Sequence, residues 1–225
     1  ANTTLFVVGP IEFRDAAEKV KQYFSCSPEI NQPNSIQRFK MPRNRAREIT
    51  MDRELSNVQM FIGKLVPRLG LKKGLDMELL VDIMGNNISD AILNKEPISY
   101  SRWATSSNEK IGGSIITYAT FGPKNYIRVK ELIREEMRKV SEGDISEDTF
   151  KSVLRKKRKE FVLNYSTTMQ KAKLLRTFWK DYSVYDVNPY WECLEHVKFE
   201  DVRATGMRHV TLNNLTELCL GRPVK

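Results

Sequence analysis

Apolar positions along this chain recur with two periods, and the switching between them predicts its elements. Residues 3–9 are a compact β-branched and aromatic run closed by Gly9-Pro10, which predicts a buried strand. Phe13, Ala16, Ala17, Val20, Tyr23 and Phe24 then recur at helical spacing and predict an amphipathic helix over 11–24. Residues 25–47, with Pro28, Pro33 and Pro42 among polar neighbours, predict a long excursion between elements. Partial alternation through Ile49, Met51, Val58, Met60, Ile62 and Leu65 predicts strand structure over 48–67. Over 75–93 one side carries Leu75, Leu79, Leu80, Ile83, Met84, Ile88 and Ile92, a helix with a soft spot at Gly85-Asn86-Asn87.

Residues 98–105 and 112–121 read as a hairpin turning through the polar stretch 106–110. Beyond Gly122-Pro123 the rhythm is helical. Tyr126, Val129, Leu132, Ile133, Met137 and Val140 mark one helix; Ser146 caps the next, with Ile145 and Phe150 as a hydrophobic staple. Met169, Ala172, Leu175, Trp179 and Tyr182 mark a third, residues 190–197 and 199–210 two shorter ones, and 215–220 a final strand. The order β-α-β-α-β-β-α-α-α-α-α-β is that of an α+β fold, a mostly antiparallel sheet flanked by helices. No internal repeat or low-complexity tract stands out.

Composition narrows the class. The 225 residues are 40% hydrophobic and 29% charged, an ordinary globular composition that excludes global disorder and fibrous chains. A chain of this size buries about 70% of its unfolded surface and needs no disulfide or metal staple. Three widely spaced cysteines, Cys26, Cys193 and Cys219, fit buried thiols in a reducing, cytoplasmic setting. The apolar runs are far shorter than the ~20 residues of a membrane span. An opening Ala-Asn-Thr-Thr-Leu without Met or a charged signal region suggests a piece excised from a longer chain.

The formal charge of +9 is concentrated. Ten basic residues between Lys151 and Lys180 face one acidic residue, Glu160, so this segment nets 10 − 1 = +9 and the rest is neutral. Such a run is a solvated helix face or a patch for a polyanion. The interleaved Phe161, Tyr165, Phe178 and Trp179 could stack bases, but their spacing is that of core residues, so nucleic acid is not the favoured partner.

Histidine excludes more chemistry than lysine suggests. His196 and His209 stand thirteen apart on separate predicted helices, and neither His-x-x-Glu-His nor His-Glu-x-x-His can be written with them. Glu192-Cys-Leu-Glu-His196 is a near miss with Glu where a first ligand would stand. Phosphate loops, a Gly-x-Ser-x-Gly elbow and Cys-x-x-Cys pairs are missing. The chain carries no self-contained catalytic site and no metal site of its own.

Three passages together resemble the insulinase/pitrilysin-type (inverzincin) zinc peptidases, the family that includes the mitochondrial processing peptidases. They are Leu5-Phe6-Val7-Val8-Gly9-Pro10 with the helix ending Tyr23-Phe24; Met84-Gly85-Asn86-Asn87-Ile88-Ser89 through Tyr100, similar to a family segment ending Leu-Arg-x-Lys-x-Gly-Leu-Ala-Tyr; and residues 197–210 followed by Leu218-Cys219-Leu220-Gly221. The resemblance implies that residues 1–225 are one C-terminal, non-catalytic half with the mitochondrial-processing-peptidase-like fold. Zn2+ and the proton-transferring Glu would reside in an absent N-terminal half or partner subunit, and an extended peptide would be enclosed between the halves. It implies substrate contact by Tyr100; the Arg expected seven residues earlier falls on Leu93 and the Gly on Pro97, with Lys95 and Arg102 as nearby cations. The alternative is an inactive member serving as scaffold or partner subunit.

Overall fold

The structure, a computed structural model, describes residues 4–24, 45–109 and 111–224. Its helices are α1 (Phe13–Phe24), α2 (Leu71–Ser89), α3 (Tyr126–Glu142), α4 (Glu147–Asn164), α5 (Thr168–Asp181), α6 (Val187–His196) and α7 (Phe199–His209). The strands are β1 (Arg47–Met51) and β2 (Val58–Val66) before α2, β3 (Ser99–Glu109) and β4 (Gly112–Phe121) after it, and β5 (Thr216–Leu220) after α7. A π-helical segment, Asp90–Lys95, continues directly from α2.

All five strands form one sheet in the order β1-β5-β2-β4-β3, with β1 parallel to β5 and the other pairs antiparallel. The α+β class with a mostly antiparallel sheet is therefore the fold observed. Period-two alternation decides which face is covered: Val58, Met60 and Ile62 of β2 and Ile115, Thr117, Ala119 and Phe121 of β4 are buried, and the residues between them are half-exposed. Helix α2 is apolar on most sides because it lies at the centre, touching β3, α3, α4, α6 and α7. Ser146 caps α4, accepting from the Thr149 backbone N–H at 3.3 Å, and both staple residues, Ile145 and Phe150, are buried.

The structure corrects three sequence expectations. Residues 4–8 form no strand, and the α1 that follows has no buried residue. Strand β3 runs on to Glu109, through residues expected to turn, because its polar side chains find partners. Ser107 Oγ lies 3.0 Å from Ser114 Oγ, and the Asn108 amide accepts from Leu69 N at 2.8 Å and donates to Leu69 O at 2.9 Å. The soft spot at Gly85 is an unbroken helix, where a Cβ would lie 3.2 Å from that of Ala104: glycine there lets α2 approach β3. The irregularity comes later, in the π-helical segment. The excursion expected from residue 25 lies, up to residue 44, outside the described residues.

One core group is titratable and costly. Asp76 of α2 is fully buried, with Oδ2 accepting from Lys73 Nζ at 3.0 Å and Oδ1 without a hydrogen-bond partner. Burial outweighs Lys73 and holds its carboxyl above the usual carboxylate range. A carboxyl raised in the fold penalises the native state once pH climbs through that raised value, and is neutral where both states are protonated. Asp76→Asn is therefore expected to stabilise the protein at pH 7 by about 1 kcal/mol, the gain shrinking to nothing as pH falls into the ordinary carboxylate range. Denaturant melts at several pH values check this; a variant less stable at pH 7 would mean the Lys73 contact outweighs burial.

Candidate functional site

The uncovered face of the sheet is where side chains converge. Strand register lines up Ile49, Leu218, Phe61, Tyr118 and Trp103, one from each of β1, β5, β2, β4 and β3, as a single row. The rings touch: Trp103 stacks on Tyr118 with centroids 5.2 Å apart, and Tyr118 meets Phe61 at 4.8 Å. Trp103 remains 43% exposed and Ile49 41%, so none of the described helices has claimed this row. Part of the row, Ile49, Phe61 and Leu218, borders a trough of about 430 Å3 where the face dips over Gly63, walled also by Leu65 and Ile116, with Arg45 and Arg47 lining it. An apolar, aromatic strip of this extent marks a surface that meets something.

Tyr100 stands at the start of β3, where Ser99 pairs with Phe121 but Ser101 pairs with Thr120. It is thus the extra residue of a β-bulge, a device that re-aims a side chain out of the ladder. Ser99 Oγ, donating within reach of Ser101 O at 3.0 Å and Thr120 O at 3.1 Å, holds the bulge, and Tyr100 is 72% exposed. The two nearby cations are occupied. Lys95 Nζ lies 2.7 Å from Asp90 Oδ2 on the π-helical segment, and its ammonium is raised by that hydrogen bond. Arg102 Nε donates to Ser89 Oγ of α2 at 2.6 Å. Leu93, in the position where the resemblance expects Arg, is half-buried.

Three cations of the basic run reach other elements of the fold. Lys157 Nζ sits 3.3 Å from both Glu78 and Asp82 of α2, Arg158 donates to the Leu194 and Glu195 carbonyls at the end of α6, and Lys180 reaches Glu109 of β3 at 2.8 Å. Lys151 pairs with Glu147 one turn back, at 2.9 Å. Of the aromatics among them, Phe178 is buried, and Phe161 stacks on Tyr190 and Trp191 with centroids 5.6 and 5.2 Å away.

A family described as the peptidase M16 inactive domain matches residues 1–157. The chain belongs to that family. Three solved structures share the fold of this M16 domain. A protease from Helicobacter pylori is 13% identical with a TM-score of 0.81, covering 95% of this chain and 53% of its own. A peptidase M16 inactive domain from Pseudomonas fluorescens is 11% identical at 0.79, covering 96% and 52%. The periplasmic protease PqqL from Escherichia coli is 13% identical at 0.77, covering 96% and 25%. The M16 domain thus spans about half the length of the first two and a quarter of the third. No curated protein matches it.

Among the described residues no group of three or more His, Cys, Asp and Glu is placed to hold an ion. His196 is exposed, its Nδ1 2.8 Å from the Glu192 carbonyl of its own helix, and burial with neighbouring cations holds the half-buried His209 below the usual imidazole range. No described helix is long and apolar enough to cross a membrane. The aromatic row went unforeseen in the sequence. Its signal, Phe61 between two core positions and Trp103 on a polar strand, acquires meaning only with the register.

Proposed function

We propose that this chain is the substrate-enclosing, non-catalytic C-terminal half of a zinc-dependent metalloendopeptidase that closes like a clamshell on an extended peptide. The bare aromatic face carries the reading. A domain working alone would cover a row such as Ile49, Leu218, Phe61, Tyr118 and Trp103, whereas a chamber wall leaves it open to the side chains of an unfolded peptide. Zinc, held by the other half or by a partner subunit, supplies an activated water there. What this chain adds is Tyr100, whose phenol donates a hydrogen bond to the peptide carbonyl oxygen as charge builds on it. Cys193 and Cys219, neither of them in a disulfide among the described residues, suit a cytoplasmic setting.

A second reading, an inactive family member acting as scaffold or partner subunit, is favoured by one observation: among the described residues no cation stands ready beside Tyr100, since Leu93 replaces Arg while Lys95 and Arg102 are engaged by Asp90 and Ser89. Joining this chain to its zinc-binding half and following cleavage of an unstructured peptide separates the two. Tyr100→Phe is expected to lower kcat/KM at least about tenfold with the melting temperature unchanged. Undiminished cleavage removes the phenol's role, and no cleavage by the unaltered protein selects the scaffold.

A further inference from the structure

We propose that the apex of the α4–α5 hairpin docks on an anionic membrane surface, its apolar residues entering the headgroup layer and the lysines behind them pairing with lipid phosphates and carboxylates. Residues 162–169, which end α4, turn and begin α5, are exposed one after another without a break. Four of them are large and apolar: Val162, Leu163, Tyr165 and Met169, the last 65% exposed. A single exposed leucine needs no explanation, but four such residues at one apex mark a contact surface. Cations stand just behind them. Lys159 lies one turn before Leu163 on α4, Lys173 one turn after Met169 on α5, and Lys171 Nζ is 5.9 Å from the centre of the Tyr165 ring. Lys157, Arg158 and Lys180 of the same run reach into the fold, whereas no described carboxylate is within ion-pairing distance of Lys159, Lys171 or Lys173. Glu160, the one acidic residue between Lys151 and Lys180, lies 3.9 Å from Lys156.

Spacing and shape select a lipid surface. One helical turn, about 5.4 Å, separates each lysine from its apolar residue, which matches the roughly 5–10 Å to which an apolar face sinks while long ammonium side chains snorkel back to the headgroups. A turn between two helices offers far fewer residues than the about 20–30 a side of a specific protein interface; a fluid headgroup layer closes round it without needing a complementary groove. Insertion also requires paired backbone groups, and this turn pairs its own. Tyr165 N–H donates to Val162 O and Ser166 N–H to Leu163 O, each at 3.0 Å, and Thr167 Oγ1 caps α5 by accepting from Gln170 N–H at 3.2 Å. Nucleic acid fits less well: Phe178 is buried and Phe161 is stacked on Tyr190 and Trp191, which leaves Tyr165, beside Lys171, as the ring at the apex. Docking there leaves the aromatic row clear, because α4 holds α2 through Lys157 and α2 packs on the covered face of the sheet, where Gly85 meets Ala104.

Flotation of the 225-residue chain with vesicles of phosphatidylcholine, alone or carrying about 30% phosphatidylserine, tests the proposal. The chain should rise with the anionic vesicles and partition into them at least about tenfold more strongly than into neutral ones, an advantage that shrinks in about 0.5 M NaCl. The Leu163→Ser, Met169→Ser double variant should weaken that binding at least about tenfold, and Lys159→Gln, Lys173→Gln should weaken it about tenfold. Both should melt within about 1 °C of the parent, since all four side chains are exposed. Failure to float, or flotation that either double variant leaves unchanged, overturns the proposal. Binding to a DNA duplex as tight as to the anionic vesicles, and indifferent to the serine substitutions, makes the lysines a general polyanion patch and overturns it too. Concentration-dependent dimerisation without flotation, abolished by the serine substitutions, makes a second copy the occupant and has the same effect.

Discussion

Replacing Gly63 with valine should cost about 3 kcal/mol of stability, lowering the melting temperature by roughly 6–12 °C. Gly63 sits in β2, with β5 on one side and β4 on the other. A Cβ there would stand 2.4 Å from the Ile115 carbonyl oxygen and 3.2 Å from the Ile116 Cα. Both are backbone atoms of β4, which cannot yield without opening the ladder where Gly63 pairs with Ile116. The same substitution fills the trough on the open face, so peptide binding and stability should fall together. Ile116→Val, which widens the trough without touching the backbone, should cost about 1 kcal/mol and separate the two effects. Thermal melts of both variants check this; a Gly63→Val protein as stable as the parent would mean the strands can part there at little cost.

Lys157→Met should be the second severe change, about 2–3 kcal/mol at pH 7. Burial pulls the Lys157 ammonium down, and Glu78 and Asp82 together outweigh it, so the group is held above the usual lysine range. A lysine raised in the fold contributes its stability at all pH values below its unfolded range and loses it only as pH rises through the folded value. Without the ammonium, Glu78 and Asp82 lose their shared partner, and Glu78 keeps the Tyr190 Oη donor at 2.8 Å. Lys156→Met is the contrast. Its nitrogen lies 3.9 Å from Glu160 on an exposed helix face, and the change should stay within about 0.5 kcal/mol. Urea melts of the pair decide whether the basic run is a clamp on α2; equal small effects would return it to the status of a charged surface.

The helical half of this fold was legible because its signals are local. Ser146, the Ile145 and Phe150 staple and the 3.6-residue rhythm from Tyr126 to Val140 need no distant partner to be recognised, and the structure has a helix at each predicted place. Strands are settled elsewhere. Residues 4–8 have strand composition but no strand to pair with among the described residues, while the polar residues 106–109 became strand because Ser114 and Leu69 supplied partners. The candidate site suffers most from this dependence. Phe61 lies between Met60 and Ile62, both in the core, so the apolar run conceals which residue faces out until the sheet fixes the pleat. Tyr100 was reached only through family resemblance; the bulge that displays it depends on one shifted pair, Ser99 with Phe121 against Ser101 with Thr120.

The order of strands in the sheet also sets a timetable. Among the described residues β1 has one neighbour, β5, and Arg47 pairs with Thr216, 216 − 47 = 169 residues on. On a ribosome, β1 would leave the tunnel long before anything exists for it to join, and β2 would wait with one side unpaired while β3 and β4 form their hairpin. β5, made after the other four strands, then inserts between two strands made much earlier and closes the sheet in a single late step. Translation that stops short of Thr216 would thus forfeit two strands, the missing β5 and the orphaned β1, and leave the inner edge of β2 open to other chains.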